Sequence, residues 1–336
     1  MPDEVFQTEV WFANLLAHGL VRRPIWQGDL AVSSRSGDLV HLPLMQESAN
    51  GPLCAVSNYY SGIYGPVGSE RAIENIGPAD WLAAAQGLRR LPHASVLRLQ
   101  PLDADSTWLA GWQTGLRDAG YWTSRFFCFG NWHQPVSDKG FEDYWQQRPS
   151  ALQHTVERAR KRLSRAGDWR IDIQADESPG LQACLAAYLA VYAQSWKQAE
   201  PCPHFMPALM HMAAQRGWLR LGVLWLGQQP LAAQVWLVCD GKASIYKLAY
   251  VKGHEKLSAG SVLTAALMQH VMDVDRVREV DYLSGDDAYK RDWMALRRER
   301  VGLLAFDPRR VSGLLAASRH FAGRLLRAPA GPQTGT

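Results

Sequence analysis

Three strand-like runs in direct succession constrain the fold of this 336-residue chain more than any other feature. They cover residues 218–226, 231–239 and 243–250, and the turn sequences GQQP at 227–230 and DG at 240–241 separate them. Asp-Gly between two apolar runs is a strong signal for a two-residue hairpin turn. The chain is therefore predicted to form three consecutive antiparallel strands.

Helical patterns flank these strands, and Gly217 is predicted to cap the helix that precedes them. A helix at 261–272 leads to a fourth strand at 277–283. Because a helical crossover joins the third and fourth strands, we predict that they lie parallel, which gives an α/β (α+β) fold with a mixed sheet. The other predicted elements are helices at 152–163, 181–196, 207–216 and 288–298 and a last strand at 301–306.

The chain divides into three predicted regions. Residues 1–150 mix strand-like and helical pieces, and residues 151–308 carry the clear α/β succession. Residues 309–336 form a basic amphipathic helix and a flexible tail rich in Pro, Gly and Thr. Hydrophobic residues make up 47% and charged residues 20% of the sequence, as in globular proteins.

Composition excludes several classes of protein. A net charge of +4 is too small to indicate nucleic acid by itself, so we expect no DNA partner. The five cysteines are scattered without a CxxC pair and the histidines are not clustered, so we expect no metal site. The N-terminal residues lack the features of a signal peptide, and no apolar run reaches the length of a membrane span. The expected location is the cytoplasm.

The segment DYLSGDDAYKRDW, from Asp281 to Trp293, follows the fourth strand and concentrates chemically useful side chains. It contains four aspartates, two tyrosines, Lys290 and Arg291. A solvated loop would not need two tyrosines and a tryptophan among its charges, so we interpret it as one wall of an active site. The alternative is a salt-bridge network that fixes a turn.

Six short motifs occur along the second region. They are RARKRL at 158–163, SWK at 195–197, QPLAAQVW at 229–236, ASIYKLAY at 243–250, KLSAGSVL at 256–263 and DYLSGDDAYKRDW at 281–293. These motifs and the order of elements resemble GNAT acyltransferases of the BioF2-like/CelD type, which are similar to the FemAB peptidyltransferases. The resemblance covers about residues 150–305. FemAB-like proteins carry two GNAT-like halves, so it implies that residues 1–150 are a degenerate first half and that two tandem halves have mixed central sheets.

The resemblance implies that the loop after the third strand holds the pyrophosphate of acyl-CoA as co-substrate. Backbone N–H groups at a helix N-terminus are ready anion ligands. The candidate residues are Lys256, Ser258, Gly260 and Ser261, with Gly260 permitting close approach of the backbone. The loop lacks the Arg or Gln and the two spaced glycines usual in the family, so another thioester, acyl-carrier protein or aminoacyl-tRNA is an alternative donor. An ordinary N-cap at Ser258 is the structural alternative.

The same resemblance implies catalytic roles in the 281–293 segment. GNAT enzymes often protonate the leaving thiolate with a tyrosine on the helix after the fourth strand, and Tyr289 takes that position. Asp281, on the strand itself, is the candidate base or amine anchor if it faces the cleft. Lys290 is the candidate to hold a phosphate or carboxylate.

Six further residues are predicted to bind substrate. Lys247 is costly to bury alone, so we expect it to reach solvent or to pair with a carboxylate such as Asp281. Trp196 is expected to form a lid or stacking surface, with a place in the core as the alternative. The six candidates are Tyr59, Trp196, Lys197, Gln234, Lys247 and Tyr250.

The expected function is therefore N-acyl transfer to an amine by direct attack on a thioester or ester, without a covalent enzyme intermediate. Members of the resembled family are associated with envelope or exopolysaccharide synthesis, which implies an amino sugar or lipid-linked acceptor. An aminoacyl-tRNA-dependent transferase and an inactive GNAT-like scaffold are the alternatives.

Two basic surfaces bear on possible partners. Arg158, Arg162 and Arg165 share a helical face that is either solvated or in contact with donor phosphates or tRNA. The helix at 309–327 either packs on the protein or lies on an anionic membrane, which would place the protein at the inner face of the membrane.

Overall fold

The computed structural model describes residues 4–91 and 94–327, so the predicted tail at 328–336 lies outside the described residues. The chain forms two compact units, and each is built from two stretches of sequence. The first unit comprises Met1–Val21 and Phe129–Glu299, and the second comprises Arg22–Cys128 and Arg300–Thr336. Both units combine helices with strands, as the predicted fold class requires.

The bounds of the helices and strands follow the apolar patterns of the sequence. The helices are α1 (Glu9–His18), α2 (Glu70–Glu74), α3 (Pro78–Leu88), α4 (Thr107–Asp118), α5 (Gly140–Gln146), α6 (Ser150–Ala166), α7 (Pro179–Ala193), α8 (Phe205–Gln215), α9 (Ala259–Asp273), α10 (Lys290–Trp293) and α11 (Val311–Arg327). The strands are β1 (Trp26–Ser33), β2 (Leu39–Gln46), β3 (Leu53–Ala55), β4 (Val96–Asp103), β5 (Trp122–Pro135), β6 (Trp169–Gln174), β7 (Leu219–Leu226), β8 (Gln229–Cys239), β9 (Lys242–Tyr250), β10 (Glu279–Asp281) and β11 (Leu296–Phe306).

The second unit contains a mixed sheet in the order β1-β2-β3-β4-β11. Only the β3–β4 pair among these neighbours is parallel. Helices α3 and α4 pack closely together because Gly115 presents no side chain: a Cβ there would lie 2.7 Å from the Trp81 backbone. The rings of Trp81 and Trp112 then approach with centroids 5.8 Å apart.

The sheet of the first unit has the order β5-β10-β9-β8-β7-β6, with residues 129–135 of β5 at one edge. Strands β7, β8 and β9 form the predicted antiparallel succession, and β9 and β10 are parallel, as the helical crossover predicted. Asp240 and Gly241 both have positive φ angles, 44° and 77°. Such angles at both central residues match a type I′ hairpin turn, the type that Asp-Gly favours.

Helix α9 provides the crossover between β9 and β10 and packs on the sheet. Its close approach to β7 depends on Gly222, where a Cβ would lie 2.9 Å from the Leu267 side chain. The face that α9 buries includes Val262, Leu263 and Met268, all fully buried. The N-terminus of α9 is thereby fixed at the end of β9, where the chain leaves the sheet.

The two units are interleaved along the chain, in contrast to the linear ranges 1–150, 151–308 and 309–336 derived from the sequence. Helix α1 belongs to the first unit, where the Trp11 ring contacts Phe205 and Tyr246 at centroid distances of 5.8 and 6.0 Å. Residues 133–135 of β5 pair with β10 and so complete the sheet of the same unit.

The predicted helix at 288–298 is wrong beyond its first turn. Only Lys290–Trp293 are helical, Met294 is extended (φ −122°, ψ 145°), and β11 begins at Leu296. The chain is extended here because residues from Arg300 onward pair with β4 as part of β11, and the Arg298 guanidinium pairs with Glu279 on β10. Local periodicity shows neither of these distant partners. None of the helices in the described ranges combines the length and apolar character needed to cross a bilayer.

Candidate active site

Asp281 lies at the centre of a buried cluster of charges in the first unit. Its side chain is 0% exposed, and one carboxylate oxygen accepts hydrogen bonds from Asn131 Nδ2 and Leu283 N, both at 2.6 Å. The other oxygen lies 2.6 Å from Arg298 Nη2 and 3.1 Å from Lys242 Nζ. Cationic and amide donors therefore occupy both oxygens.

Two more carboxylates complete the cluster. Lys242 also pairs with Glu4 and, at 3.7 Å, with Glu279, while Arg298 reaches Glu279 at 2.7 Å. Burial alone would lower the pKa of Lys242, but the carboxylates of Glu4 and Asp281 more than offset this and raise it. Such a cluster suits a structural junction. It does not suit the base or amine anchor predicted for Asp281, because its carboxylate has no oxygen left for substrate.

Tyr282, the residue after Asp281, faces the opposite way and lines a cavity of about 550 Å³. Side chains alternate between the faces of an extended chain, so only one of the two neighbours can point into the cleft. The prediction placed the wrong neighbour there. The walls come from β8, β9, α6, α9, α10 and the segments beside them, and the lining includes Trp196, Tyr250, Tyr282, Tyr289, Asp292 and Trp293.

Tyr289 lies in this cavity wall directly before α10, and 45% of its side chain is exposed. Its ring meets that of Tyr282 edge-on, with ring centroids 5.8 Å apart. Burial and the nearby Asp287 carboxylate raise the pKa of Tyr289 above its usual 10.0. The phenol is therefore protonated at neutral pH, which is the state that a general acid requires.

Asp292 is a carboxylate of the same wall. It is half-buried and lines the cavity together with Tyr289. The other aspartates of the segment are engaged elsewhere, since Asp286 pairs with Arg297 at 2.7 Å and Asp287 with Lys290 at 3.5 Å. The segment's charges therefore form separate pairs and not one network.

Lys290 is buried and stabilises the turn that carries the wall. Its Nζ donates hydrogen bonds to the carbonyl oxygens of Ser284 at 2.6 Å and Gly285 at 3.2 Å. Burial lowers the pKa of Lys290, and the Asp287 carboxylate opposes that shift. Since these contacts occupy the ammonium, the phosphate- or carboxylate-binding role predicted for Lys290 has no support in its geometry.

A smaller cavity of about 170 Å³ lies at the N-terminus of α9. Ser258, Gly260 and Ser261 line it, and it shares Tyr250, Gly260 and Ser261 with the larger cavity. Ser258 turns the chain into the helix with φ 48° and ψ 38°, but its side chain makes no capping hydrogen bond. Lys256 is exposed on the preceding turn of 3₁₀-helix and does not line either cavity.

Arg162 on α6 contacts the loop before α9, although the sequence did not predict it as a site residue. Its Nη2 lies 3.5 Å from Ser258 Oγ, and its buried Nε has no hydrogen-bond partner within the described part of the chain. Arg158 and Arg165, which share its helical face, are exposed. The RARKRL motif indicates a basic face on α6, but only the fold shows that Arg162 is the arginine that lies against the loop before α9.

Three of the predicted substrate-binding residues lie together beside the large cavity. Trp196 is 45% exposed, lines the large cavity, and packs against Tyr250 with ring centroids 4.3 Å apart. Lys197 Nζ lies 5.6 Å from the centroid of the Trp196 ring. These three residues are therefore grouped at one side of the cavity.

Gln234 also lines the cavity, but its amide is already used within the protein. Nε2 donates to Thr264 Oγ1 at 2.8 Å and to the Gly260 carbonyl at 3.1 Å, while Oε1 accepts from Trp236 Nε1 at 2.9 Å. Gln234 thus fixes the start of α9 to β8. The Gln234 side chain therefore positions the loop before α9, whereas the sequence predicts that it binds substrate.

Lys247 and Tyr59 do not line the large cavity. Lys247 is buried and pairs with Glu200 at 3.0 Å, so the expectation of a carboxylate partner holds but the partner is not Asp281. Tyr59 belongs to the second unit and is 67% exposed. Both cavities described above are lined entirely by residues of the first unit.

Comparison with known proteins agrees with this geometry. Residues 150–291 match the family model of the acetyltransferase (GNAT) domain. None of the curated proteins matches the sequence significantly. Solved structures of similar fold include FemX (11% identity, TM-score 0.64, 94% of this chain and 95% of that one) and L-PGS from Bacillus licheniformis (13%, 0.52, 94% and 96%). A third is the DUF2156 domain of a protein assigned as a lysylphosphatidylglycerol synthetase from Agrobacterium fabrum (14%, 0.56, 89% and 88%).

The fold and the matched domain define an acyltransferase. Residues 150–291 are a GNAT domain, and the chain shares the fold of FemX along most of its length. The predicted resemblance to GNAT proteins is confirmed for this segment, and the resemblance to FemAB-like proteins is confirmed at the level of fold.

Proposed function

We propose that the chain is an N-acyltransferase that moves an acyl group from acyl-CoA, or a related thioester, to an amine acceptor. One observation carries the proposal: the small cavity at the N-terminus of α9 and the large aromatic cavity share Tyr250, Gly260 and Ser261. A donor with phosphates at the helix N-terminus would therefore have its reactive end within reach of Tyr289 and Asp292.

The smaller cavity suits the donor's pyrophosphate for electrostatic reasons. The first backbone N–H groups of a helix carry partial positive charge, so the start of α9 favours an anion. The Ser261 N–H already donates to the Ser258 carbonyl at 3.0 Å, so Gly260, which lines the cavity, is the candidate backbone contact. Arg162 would add a formal charge beside Ser258. Gly260 leaves room for the ligand, because even a Cβ at this position would meet only Tyr250, at 3.5 Å.

The larger cavity suits direct transfer. The acceptor amine would attack the thioester carbonyl, whose oxygen a backbone N–H of the wall would polarise. Asp292 would hold the incoming ammonium and accept one proton from it, so that the neutral amine attacks. Tyr289 would donate a proton to the departing thiolate, and the proton that nitrogen loses as the amide forms would restore the Tyr289 phenol. The C–N bond forms as the C–S bond breaks, and the enzyme itself is not acylated.

Asp292→Asn is expected to lower kcat/KM for the amine roughly 10- to 100-fold, because it removes a charge-assisted contact and a proton acceptor. The assay is release of free CoA thiol from acetyl-CoA in the presence of a panel of amino sugars and amines. Asp286→Asn is the matched control, since this exposed aspartate of the same segment pairs with Arg297. Equal activity of the Asp292→Asn variant and the wild-type protein would exclude Asp292 from the reaction.

An amino sugar or a lipid-linked amine is the proposed acceptor class, in keeping with the family resemblance of the sequence. Two of the structures of similar fold carry names that refer to lysylphosphatidylglycerol or L-PGS, which supports an acceptor at a lipid surface. The thiol-release panel therefore includes amines presented on vesicles as well as free amines.

An aminoacyl-tRNA donor is the second candidate, supported by the FemX fold and by exposed Arg158 and Arg165 on α6. The position of Arg162 favours a thioester donor instead, because its guanidinium lies beside Ser258 at the proposed pyrophosphate site. Loss of activity on RNase treatment would identify the tRNA donor. An inactive scaffold predicts no binding of acetyl-CoA at all.

Helix α11 is proposed to lie on an anionic membrane. Val311, Leu314 and Leu315 are 75%, 41% and 52% exposed, and Arg319 is exposed beside them. An apolar stripe flanked by arginine fits the boundary of a negatively charged bilayer.

Vesicles of phosphatidylglycerol are therefore expected to bind the protein in a sedimentation assay, whereas vesicles of phosphatidylcholine bind it weakly. The double variant Leu314→Glu/Leu315→Glu should lose at least about tenfold in partitioning, since each apolar group removed weakens insertion. Leu39→Glu, at a 56% exposed position of β2, is the control. Equal binding of all three proteins would contradict this contact.

A further inference from the structure

Lys197 stands out among the charged side chains near the large cavity because no carboxylate pairs with it within the described part of the chain. It follows α7 in a turn that Ser195 fixes: the Lys197 backbone N–H donates to Ser195 Oγ at 3.2 Å, and this hydroxyl donates to the Tyr192 carbonyl at 2.7 Å. The backbone at Lys197 is therefore fixed, while no carboxylate within the described residues pairs with its ammonium.

The position of Lys197 is next to the cavity wall. Its Nζ lies 5.6 Å from the centroid of the Trp196 ring, and Trp196 lines the cavity and packs on Tyr250. The indole ring attracts the cation, but a ring does not neutralise a formal charge. A group bound in the cavity against Trp196 would therefore meet an ammonium with hydrogen bonds to donate.

The two carboxylates that act on Lys197 are paired with other lysines. Glu200 lies 3.0 Å from Lys247 and Asp287 lies 3.5 Å from Lys290. Burial and the charge of Lys247 lower the pKa of Lys197. A half-buried ammonium without a paired carboxylate is stabilised by an anion that binds beside it.

We propose that Lys197 is a binding subsite for an anionic group, a phosphate or a carboxylate, of the amine acceptor. This inference rests on the proposed acyl transfer. Asp292, in the cavity wall, would face the amine, and Lys197, beside Trp196 at the edge of that wall, would face the anion. The substrate class is then an amine that also carries a negative charge, such as a phosphorylated amino sugar or an amino acid, and a neutral or purely cationic amine is disfavoured.

The test is NMR of the full-length protein with its lysines ¹³C-dimethylated, a modification that keeps their charge. Inorganic phosphate and acetate are the two probes, and the Lys197 signal is assigned by its absence in Lys197→Gln. We expect this signal to shift saturably with one of the probes, at least about tenfold more tightly than the exposed Lys139 and Lys161, because a charge-assisted hydrogen bond contributes that much. Saturation by phosphate indicates a phosphorylated acceptor, and saturation by acetate a carboxylated one.

Three variants make the result specific. Lys197→Gln should lose the saturable binding measured by calorimetry, and Lys197→Arg should retain it because it keeps the charge. Arg162→Gln, which alters the loop at α9, should leave the Lys197 response unchanged. If Lys197 shifts only in parallel with the exposed lysines for both probes, the subsite is excluded.

The same measurements separate this inference from the proposed function. Saturable anion binding at Lys197 without any transfer from acetyl-CoA or aminoacyl-tRNA would retain the subsite and overturn the proposed function. Transfer to an amine with an unresponsive Lys197 would overturn only the subsite.

Discussion

Tyr289→Phe is expected to lower kcat for acyl transfer roughly 100- to 1,000-fold, the range typical of a lost general acid. The substitution removes one hydroxyl from the wall of the large cavity and leaves the ring contact with Tyr282 in place. Because the thiolate must then leave unprotonated, kcat should fall while the KM for acetyl-CoA changes little. Steady-state thiol release on a protein with unchanged melting temperature measures the effect.

Tyr188→Phe is the matched control, since Tyr188 is a buried tyrosine of α7 outside the cavity lining. It should retain nearly full kcat. The raised pKa of Tyr289 also predicts that wild-type activity does not decline through deprotonation of this residue below about pH 10. A Tyr289→Phe variant with wild-type kcat would show that another group, or water, protonates the thiolate.

Asp281→Ala is expected to destabilise the first unit by about 3–5 kcal/mol, the cost of breaking a buried ion pair from one side. Arg298 and Lys242 would each lose a carboxylate partner, at 2.6 and 3.1 Å, and Asn131 Nδ2 would lose one of its two acceptors. Loss of activity should follow loss of folded protein. Chemical denaturation monitored by tryptophan fluorescence measures the change in the free energy of unfolding.

Asp281→Asn distinguishes stability from catalysis. The amide retains an acceptor oxygen but lacks the charge, so it should be destabilised by less than the alanine variant, and its folded fraction should keep nearly full kcat. Asp286→Asn, at the exposed pair with Arg297, should cost at most about 1 kcal/mol. A stable Asp281→Asn variant with kcat reduced more than about a hundredfold would restore Asp281 as the base.

The predictions for Tyr289 and Asp281 give different roles to the two ends of the segment 281–293. Asp281 connects β10 to its neighbours through a hydrogen bond from Asn131 and an ion pair with Arg298, both distant in sequence. Tyr282, Tyr289 and Asp292 face the cavity that this arrangement supports. The segment is thus a structural junction at its start and a candidate catalytic wall towards its end.

Local features of the sequence were sufficient to predict the core of the fold. Asp240-Gly241 specifies its hairpin because both residues adopt positive φ angles, and Gly217, at φ 71°, ends α8 as predicted. The parallel pairing of β9 and β10 follows from a helical connection alone. None of these predictions needed information about a distant residue.

The candidate site was harder to predict because its side chains are assigned by distant partners. Whether Asp281 or Tyr282 enters the cavity depends on one residue of register, and only the pairing of β10 with β5 and β9 fixes it. Lys247 pairs with Glu200 from a loop that periodicity cannot position.

Calorimetric binding of acetyl-CoA to the wild-type protein and to Gly260→Val is the most direct test of the central claim, that the cavities at the N-terminus of α9 hold a thioester donor. A Cβ at this position would meet only Tyr250, at 3.5 Å, and the two further methyl groups of valine would occupy the space where backbone and ligand meet. We expect micromolar binding to the wild-type protein and binding weakened at least about tenfold in Gly260→Val, with melting temperatures that agree closely. No binding to the wild-type protein, or equal binding to both, would contradict the account.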